Sequence, residues 1–285
     1  MSKKLVGYWK LLRISEWYGK VALVTAMSLS FGHTKYSLTI FILVYLINIL
    51  NNAFAFGIND LEDAEDDAKD PTKINRNPIS AKLINKAEGY LIVYATAVAC
   101  IALSYSFNLT TAIFSSITIT VGFLYSYKPV RLKSMPVFDI LSHGFFLGFA
   151  QFLIPAIALD IPITASFLLV AIGIYATSAF GDIHNEIRDY EVDRKTNIRN
   201  TASFIDLRKY ESPIHTLHIF ILTLILLTVV LNLTPISRTK TIIAMMATFV
   251  TATLLPKKIK KTLYKYSEPL MTIGSLAFLY IIFQY

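Results

Sequence analysis

Long apolar runs separated by polar breaks dominate the chain. Nine of them read as membrane spans, at approximately 14–33, 36–57, 87–106, 109–127, 137–158, 162–181, 214–232, 238–255 and 267–284. A helix needs ~20 apolar residues to cross the hydrocarbon core of a bilayer, whereas a transmembrane barrel shows short alternating segments. Lipid offers no partner to an unpaired backbone group, so the pattern predicts an all-α membrane protein. Links between the runs alternate in length. Tight connections such as Phe107-Asn108-Leu109 and Asp160-Ile161-Pro162 join spans 1–2, 3–4, 5–6 and 7–8, and longer polar segments join the others.

Composition agrees with this reading: 54% of residues are hydrophobic and 16% charged, where a soluble domain carries roughly 25% charged residues. The formal charge of +8 raises the question of nucleic acid. Most of the basic residues, however, gather at the N-terminus and in the longer links, with Lys35, Arg238 and Lys240 among the exceptions. That is the bias of cytoplasmic loops, so no nucleic-acid partner is expected. The long loops are placed in the cytoplasm of a multi-pass cell-membrane protein and the C-terminus outside. Cys100, the single cysteine, lies in an apolar run, which excludes a disulfide framework or a thiolate metal site.

The polar loops contain a repeat. Asn59-Asp60-Leu-Glu-Asp63-Ala-Glu-Asp-Asp67 follows span 2, and Asn185-Glu186-Ile-Arg-Asp189-Tyr-Glu-Val-Asp193 follows span 6. They align without a gap, four spans apart, as expected of two parallel repeats about an axis along the membrane normal. The chain is accordingly expected to be a single domain over 1–285. Its repeat halves are about 14–127 and 137–255, with a ninth helix at 267–284.

Residues four apart stack on one helix face. Asn59, Asp63 and Asp67 would present one line of oxygens, and Asp182, Asp189 and Asp193 another opposite it, with Glu186 close by. Oxygen ligands without Cys or His suit hard cations, and Mg2+ characteristically shares its shell between carboxylates and substrate phosphate. Glu62, Glu65, Asp66 and Asp70 fall off that face and are expected to be solvated. Basic side chains on the same side, Lys128, Arg131, Lys133, Arg76 and Lys195, are candidates to bind a phosphate; a positive-inside bias alone would also put basic residues there. Arg13 is a further candidate. His143, within span 5, reads either as functional or as a helix–helix hydrogen bond. Asp139 reads as a helix-start residue or as an orienter of Lys133, and His184 as loop filler. A divalent-cation or phosphate-compound transporter also fits parallel repeats and acids at the membrane. It would need polar groups near the bilayer midplane.

Nine spans, Asn59-Asp60-x-x-Asp63-x-x-x-Asp67, the Tyr125-Ser126…Arg131-Leu132-Lys133 loop, and Asp189-x-x-x-Asp193 followed by Thr201-Ala202 together resemble the UbiA-type intramembrane prenyltransferase superfamily. The resemblance implies nine helices around a central cavity and transfer of an isoprenyl chain from its diphosphate to a lipophilic acceptor. It implies two Mg2+ ions held by Asn59, Asp63, Asp67, Asp182, Asp189 and Asp193, with Asp63, Asp67, Asp189 and Asp193 as the catalytic set. Asp60, Arg76, Tyr125, Lys128, Arg131, Lys133, Asn185 and Lys195 would bind the substrate. Arg76-Asn77-Pro78, in place of a commoner Arg-Pro pair, and Asp139 after Lys133 resemble the archaeal carotenoid-elongating branch more than the quinone or ether-lipid branches.

Overall fold

The computed structural model describes residues 2–195 and 199–233 together with isolated positions 272, 276 and 280, and side chains of the first segment through Glu191. Expected spans 8 and 9 lie outside the described residues. Described elements are helical: α1 (Lys3–Leu12), α2 (Tyr18–Leu29), α3 (Leu38–Asp67), α4 (Lys86–Tyr105), α5 (Leu109–Ser126), α6 (Phe138–Ala158), α7 (Ala165–Lys195), α8 (Thr201–Ile205) and α9 (Glu211–Leu233). Six of them, α3 to α7 and α9, are long and apolar enough to cross a membrane. The chain is thus an all-helical, multi-pass membrane protein.

Two expectations are corrected. The first span does not run unbroken from 14. Ile14–Glu16 is a 3-10 turn set off by Arg13 in the left-handed region at φ 48°, and α2 begins after it. The acidic motifs are not loops. α3 continues through Asp67 and α7 through Lys195. The reason for α3 lies in its packing face: Phe54, Ile58, Leu61 and Ala64 are all buried, so the apolar stripe persists where the rest of the helix turns acidic. The helix stops where Pro71 follows, a residue that cannot continue it.

Capping side chains set the starts. Ser37 accepts from the Ile40 amide at 3.2 Å, and Asn108 from Thr111 at 2.8 Å. Asn85 and Glu88 form a reciprocal capping box at the head of α4, satisfying amides that have no partner within the helix. Gly57 lets α3 and α4 approach closely, since a Cβ there would stand 2.5 Å from a Val93 methyl.

The main core lies between α2, α3, α6, α7 and α9. Phe31 meets Phe152 and Phe167 edge-on at centroid distances of 6.0 and 5.4 Å. α6 is irregular, with a π turn at Phe145–Phe149 and Pro155 inside the helix. Proline has no N–H for the carbonyl four residues earlier. That carbonyl, on Gln151, instead accepts from Asn48 Nδ2 at 2.9 Å. Asn48 also donates to Thr25 Oγ1 at 3.0 Å, and Gln151 Nε2 to Asn52 Oδ1 at 2.6 Å. This polar chain locks α2, α3 and α6 together beneath the acidic ends of α3 and α7.

Candidate active site

α3 and α7 place their acidic ends around one polar cavity of about 440 Å³. From α3 come Phe56, Asn59, Asp63 and Asp67; from α7 come Asp182, Asn185, Glu186, Arg188 and Asp189. The spacings of three and four bring these groups to one side of each helix. The side chains of Asp193 and Lys195 lie outside the described residues.

Basic side chains reach the same space from the connecting segments. Lys133 Nζ donates to Asn59 Oδ1 at 2.9 Å and to Asp63 Oδ2 at 2.5 Å. Arg131 Nη2 donates to the other Asp63 oxygen at 3.0 Å and to Asp66 at 3.3 Å. Arg76 lines the cavity and pairs with Glu16 at 3.0 Å. Arg13 and Lys73 also line it, Lys73 Nζ standing 4.0 Å from Asp189 Oδ2. Lys73 and Arg188 were absent from the sequence candidates. For Lys73 the signal was available in its position six residues beyond the Asp67 ligand candidate, in the same basic loop as Arg76.

The remaining walls orient the acids. Tyr125 Oη donates toward both Asp182 oxygens, at 3.1 and 3.2 Å. Asn77, 1% exposed, donates from Nδ2 to Asp67 Oδ2 at 2.9 Å and to the Asp60 carbonyl at 2.8 Å. Its Oδ1 accepts from the Ile79 and Ser80 amides. His143 sits behind Asp182: its Nε2 is 3.8 Å from Asp182 Oδ1, and its Nδ1 is bonded to Ser178 Oγ at 3.1 Å. The ring thus bridges α6 to α7, combining the helix–helix reading with contact to a candidate ligand. Asp139 does not touch Lys133 in any described bond. It is buried and accepts from Thr201 N and Oγ1, both at 2.5 Å. Glu186 accepts from the Ala202 amide at 2.9 Å. Two carboxylates therefore hold the start of α8 against the cavity, and Asn200 just before it lines the wall.

Several sequence assignments move. Asp60 does not line the cavity; it is fully buried and salt-bridged to Arg13, with Nε 3.2 Å from Oδ2. Helix register alone would put it beside Asp63, three residues on; its oxygens are taken by Arg13 instead. Lys128 points away to Glu65 at 3.0 Å, and that carboxylate holds its ammonium pKa above the ordinary lysine value. Glu62 is not solvated: it is buried and accepts from Tyr90 Oη at 2.8 Å and the Lys128 amide at 3.0 Å. His184 is not filler either. Its Nε2 lies 3.3 Å from His218 Nδ1, and its ring is 4.2 Å from that of His215, joining α7 to α9.

The described ligand candidates facing the cavity are carboxylate and amide oxygens, a donor set suited to hard cations. Among the described residues no three carboxylates, histidines or cysteines converge as a closed metal cage. A metal shell here would have to be completed by other oxygens, as a bound phosphate group supplies.

Comparison with known proteins agrees with this geometry. A lycopene elongase/hydratase of Haloarcula japonica is 29% identical over 166 residues, covering 55% of this chain and 51% of that protein. The chain thus matches about half the length of that relative. A solved UbiA homologue of Archaeoglobus fulgidus, bound to GPP and Mg2+, superposes with a TM-score of 0.70 at 19% identity, covering 98% of this chain and all of that one. The UbiA homologue of Aeropyrum pernix K1 gives a TM-score of 0.68 at 14% identity, with 95% and 96% coverage. At such identities the solved structures speak to the fold. The sequence profile of the UbiA prenyltransferase family matches residues 21–281, nearly the whole chain, and the chain belongs to that family of prenyltransferases.

Proposed function

We propose that this protein transfers an isoprenyl group from a prenyl diphosphate to a lipophilic acceptor within the membrane, using Mg2+. The observation that carries this reading is the meeting of two acidic helix ends and a set of Lys and Arg side chains on one cavity. Acids alone would hold a metal and bases alone an anion; their interleaving suits a metal-bound diphosphate. A relative bound to GPP and Mg2+ shares the fold. In this reading Asn59, Asp63 and Asp67 hold one ion, and Asp182, Asp189 and Asp193 a second. Arg76, Arg131, Lys133, Asn185 and Lys195 contact the diphosphate, joined by Lys73.

Bound Mg2+ would stabilise the charge that develops on the departing diphosphate. The basic side chains add fixed donors to the same oxygens. Tyr125 keeps Asp182 oriented, and Asn77 does the same for Asp67. Exclusion of water by the surrounding helices would protect the allylic carbon as it gains cationic character. The Arg76-Asn77-Pro78 sequence and the similarity to a lycopene elongase/hydratase favour a carotenoid acceptor over an aromatic quinone precursor or a glycerol-phosphate ether lipid.

The architecture that goes with this reading is one domain over 1–285, with two parallel four-helix repeats and a ninth helix around a central cavity. In this reading the site lies on the cytoplasmic side of the cell membrane and the C-terminus outside, which the charge bias of the loops supports. Purified protein incubated with Mg2+, labelled prenyl diphosphate and membrane lipid extract should yield prenylated product and free diphosphate. Asp63→Asn and Asp189→Asn should each abolish turnover while expression persists. Near-normal activity in either variant would remove that residue from the site.

A further inference from the structure

Lys133 stands between two oxygens assigned as metal ligands, Asn59 Oδ1 at 2.9 Å and Asp63 Oδ2 at 2.5 Å. Arg131 takes the remaining Asp63 oxygen at 3.0 Å. One ammonium thus occupies the position that a cation shared by Asn59 and Asp63 would take, and a guanidinium closes the other side of the same carboxylate. Both belong to the short connection between α5 and α6, where Arg131 adopts the left-handed region at φ 47° and Leu132–Ser134 forms a single 3-10 turn.

Charge around the cavity is close to balanced as well. Among the described lining residues six are acidic and six basic. A dication arriving alone must displace Lys133 and Arg131 from Asp63, taking from Lys133 its carboxylate partner and leaving Arg131 with Asp66. A diphosphate arriving alone meets carboxylates already close to the bases it needs. When both arrive, the bases pass from Asp63 to the phosphate oxygens and the metal takes their place on the carboxylate. Each cation then keeps an anionic partner.

We propose that Lys133 and Arg131 are exchangeable counter-ions of the first acidic motif, so that metal and diphosphate bind as a coupled pair rather than one after the other. This rests on the metal–diphosphate reading of the site. Coupling of this kind is reciprocal: diphosphate must tighten metal binding by the same factor as metal tightens diphosphate binding.

The experiment measures protein-bound Mn2+, by equilibrium dialysis of detergent-solubilised protein with and without inorganic pyrophosphate, against a protein-free control that corrects for the Mn2+–pyrophosphate complex in solution. Wild type should bind Mn2+ weakly alone and markedly more tightly with pyrophosphate. Lys133→Met and Arg131→Gln should bind Mn2+ alone about 10- to 100-fold more tightly than wild type, the range spanned by loss of a charge-assisted hydrogen bond. Their enhancement by pyrophosphate should shrink correspondingly. Lys133→Arg, which keeps the charge, should behave as wild type, and it provides the folded reference if a neutral variant does not fold. The proposal is overturned if wild-type affinity for Mn2+ is indifferent to pyrophosphate, if Lys133→Arg loses the coupling, or if a folded neutral variant binds Mn2+ no more tightly than wild type. A wild type that takes up no Mn2+ even with pyrophosphate would overturn the metal–diphosphate reading itself.

Discussion

Asn77 offers a direct test of how the site is built, because all of its polar capacity is used and none of it touches solvent. Its Oδ1 accepts two backbone amides, which leaves Nδ2 as the donor to Asp67 Oδ2 at 2.9 Å and to the Asp60 carbonyl at 2.8 Å. Replacing it with alanine removes one charge-assisted bond, about 1.5–3 kcal/mol, and several neutral ones at about 0.5–1.5 kcal/mol each. These do not sum, since the Asp60 carbonyl lies within the helical ladder of α3 and the turn can relax. The specific consequence falls on Asp67, which loses the amide that fixes its orientation. Loss of an outer partner of a metal ligand typically weakens metal affinity ~10–100-fold. In Asn77→Ala the Mg2+ concentration for half-maximal diphosphate release should therefore rise about tenfold or more. Turnover at saturating Mg2+ should recover most of the wild-type value, because no group that contacts substrate has been removed. The assay is a Mg2+ titration of diphosphate release, run beside thermal unfolding in the same detergent. An unchanged Mg2+ midpoint in a variant that unfolds earlier would refute the argument and reduce Asn77 to a brace of the 70–85 loop.

Two further substitutions test the scaffold. Glu62→Ala leaves the Tyr90 hydroxyl and the Lys128 amide without their acceptor. It should cost about 1–3 kcal/mol and raise KM for the prenyl diphosphate, because the anchored segment carries Arg131 and Lys133. Unfolding temperature and KM both unchanged would rule out the anchoring role. Asn48→Leu removes the donor to the Gln151 carbonyl that Pro155 leaves open. A loss of about 1–2 kcal/mol should appear as a lower unfolding temperature in detergent, with Mg2+ dependence intact; no loss would show that this carbonyl needs no side-chain donor.

Residue spacing made the acidic face legible, and the reason is geometric. Asn59, Asp63 and Asp67 share a face in any helix, so their meeting on one cavity follows once the segment is helical. Reading that segment as a loop was the error, and the correcting signal lay between the acids. Ile58, Leu61 and Ala64 continue the buried stripe of Phe54, a helical period that overall hydropathy hides when most other positions are charged. The first span failed for a related reason. An average over 14–33 absorbs Ser15 and Glu16, yet the left-handed conformation at Arg13 and the 3-10 turn over Ile14–Glu16 set the helix start at Tyr18. The burial of Glu62 had no local signal, since its partners Tyr90 and Lys128 come from other elements. Distant pairing of this kind is invisible to periodicity.

The second acid of each motif shows how far register alone reaches. Asp60 aligns with Glu186, and each follows an asparagine that faces the cavity. By register each sits within one turn of its helix's ligand candidates, Asp60 three residues before Asp63 and Glu186 four after Asp182, and of the two Glu186 lines the cavity. Both are buried and both tie down a segment outside their helix: Asp60 holds Arg13 ahead of α2, and Glu186 holds the Ala202 amide at the head of α8. These are different partners, a guanidinium in one case and a backbone amide in the other, so conservation of contact between the motifs does not explain the shared acid. A common task does. Each of the two helices that carry metal-ligand candidates also pins a neighbouring segment that borders the same cavity, through an acid whose oxygens are already engaged. The second position of the motif therefore fastens the cavity wall on which Asn59, Asp63, Asn185 and Asp189 depend.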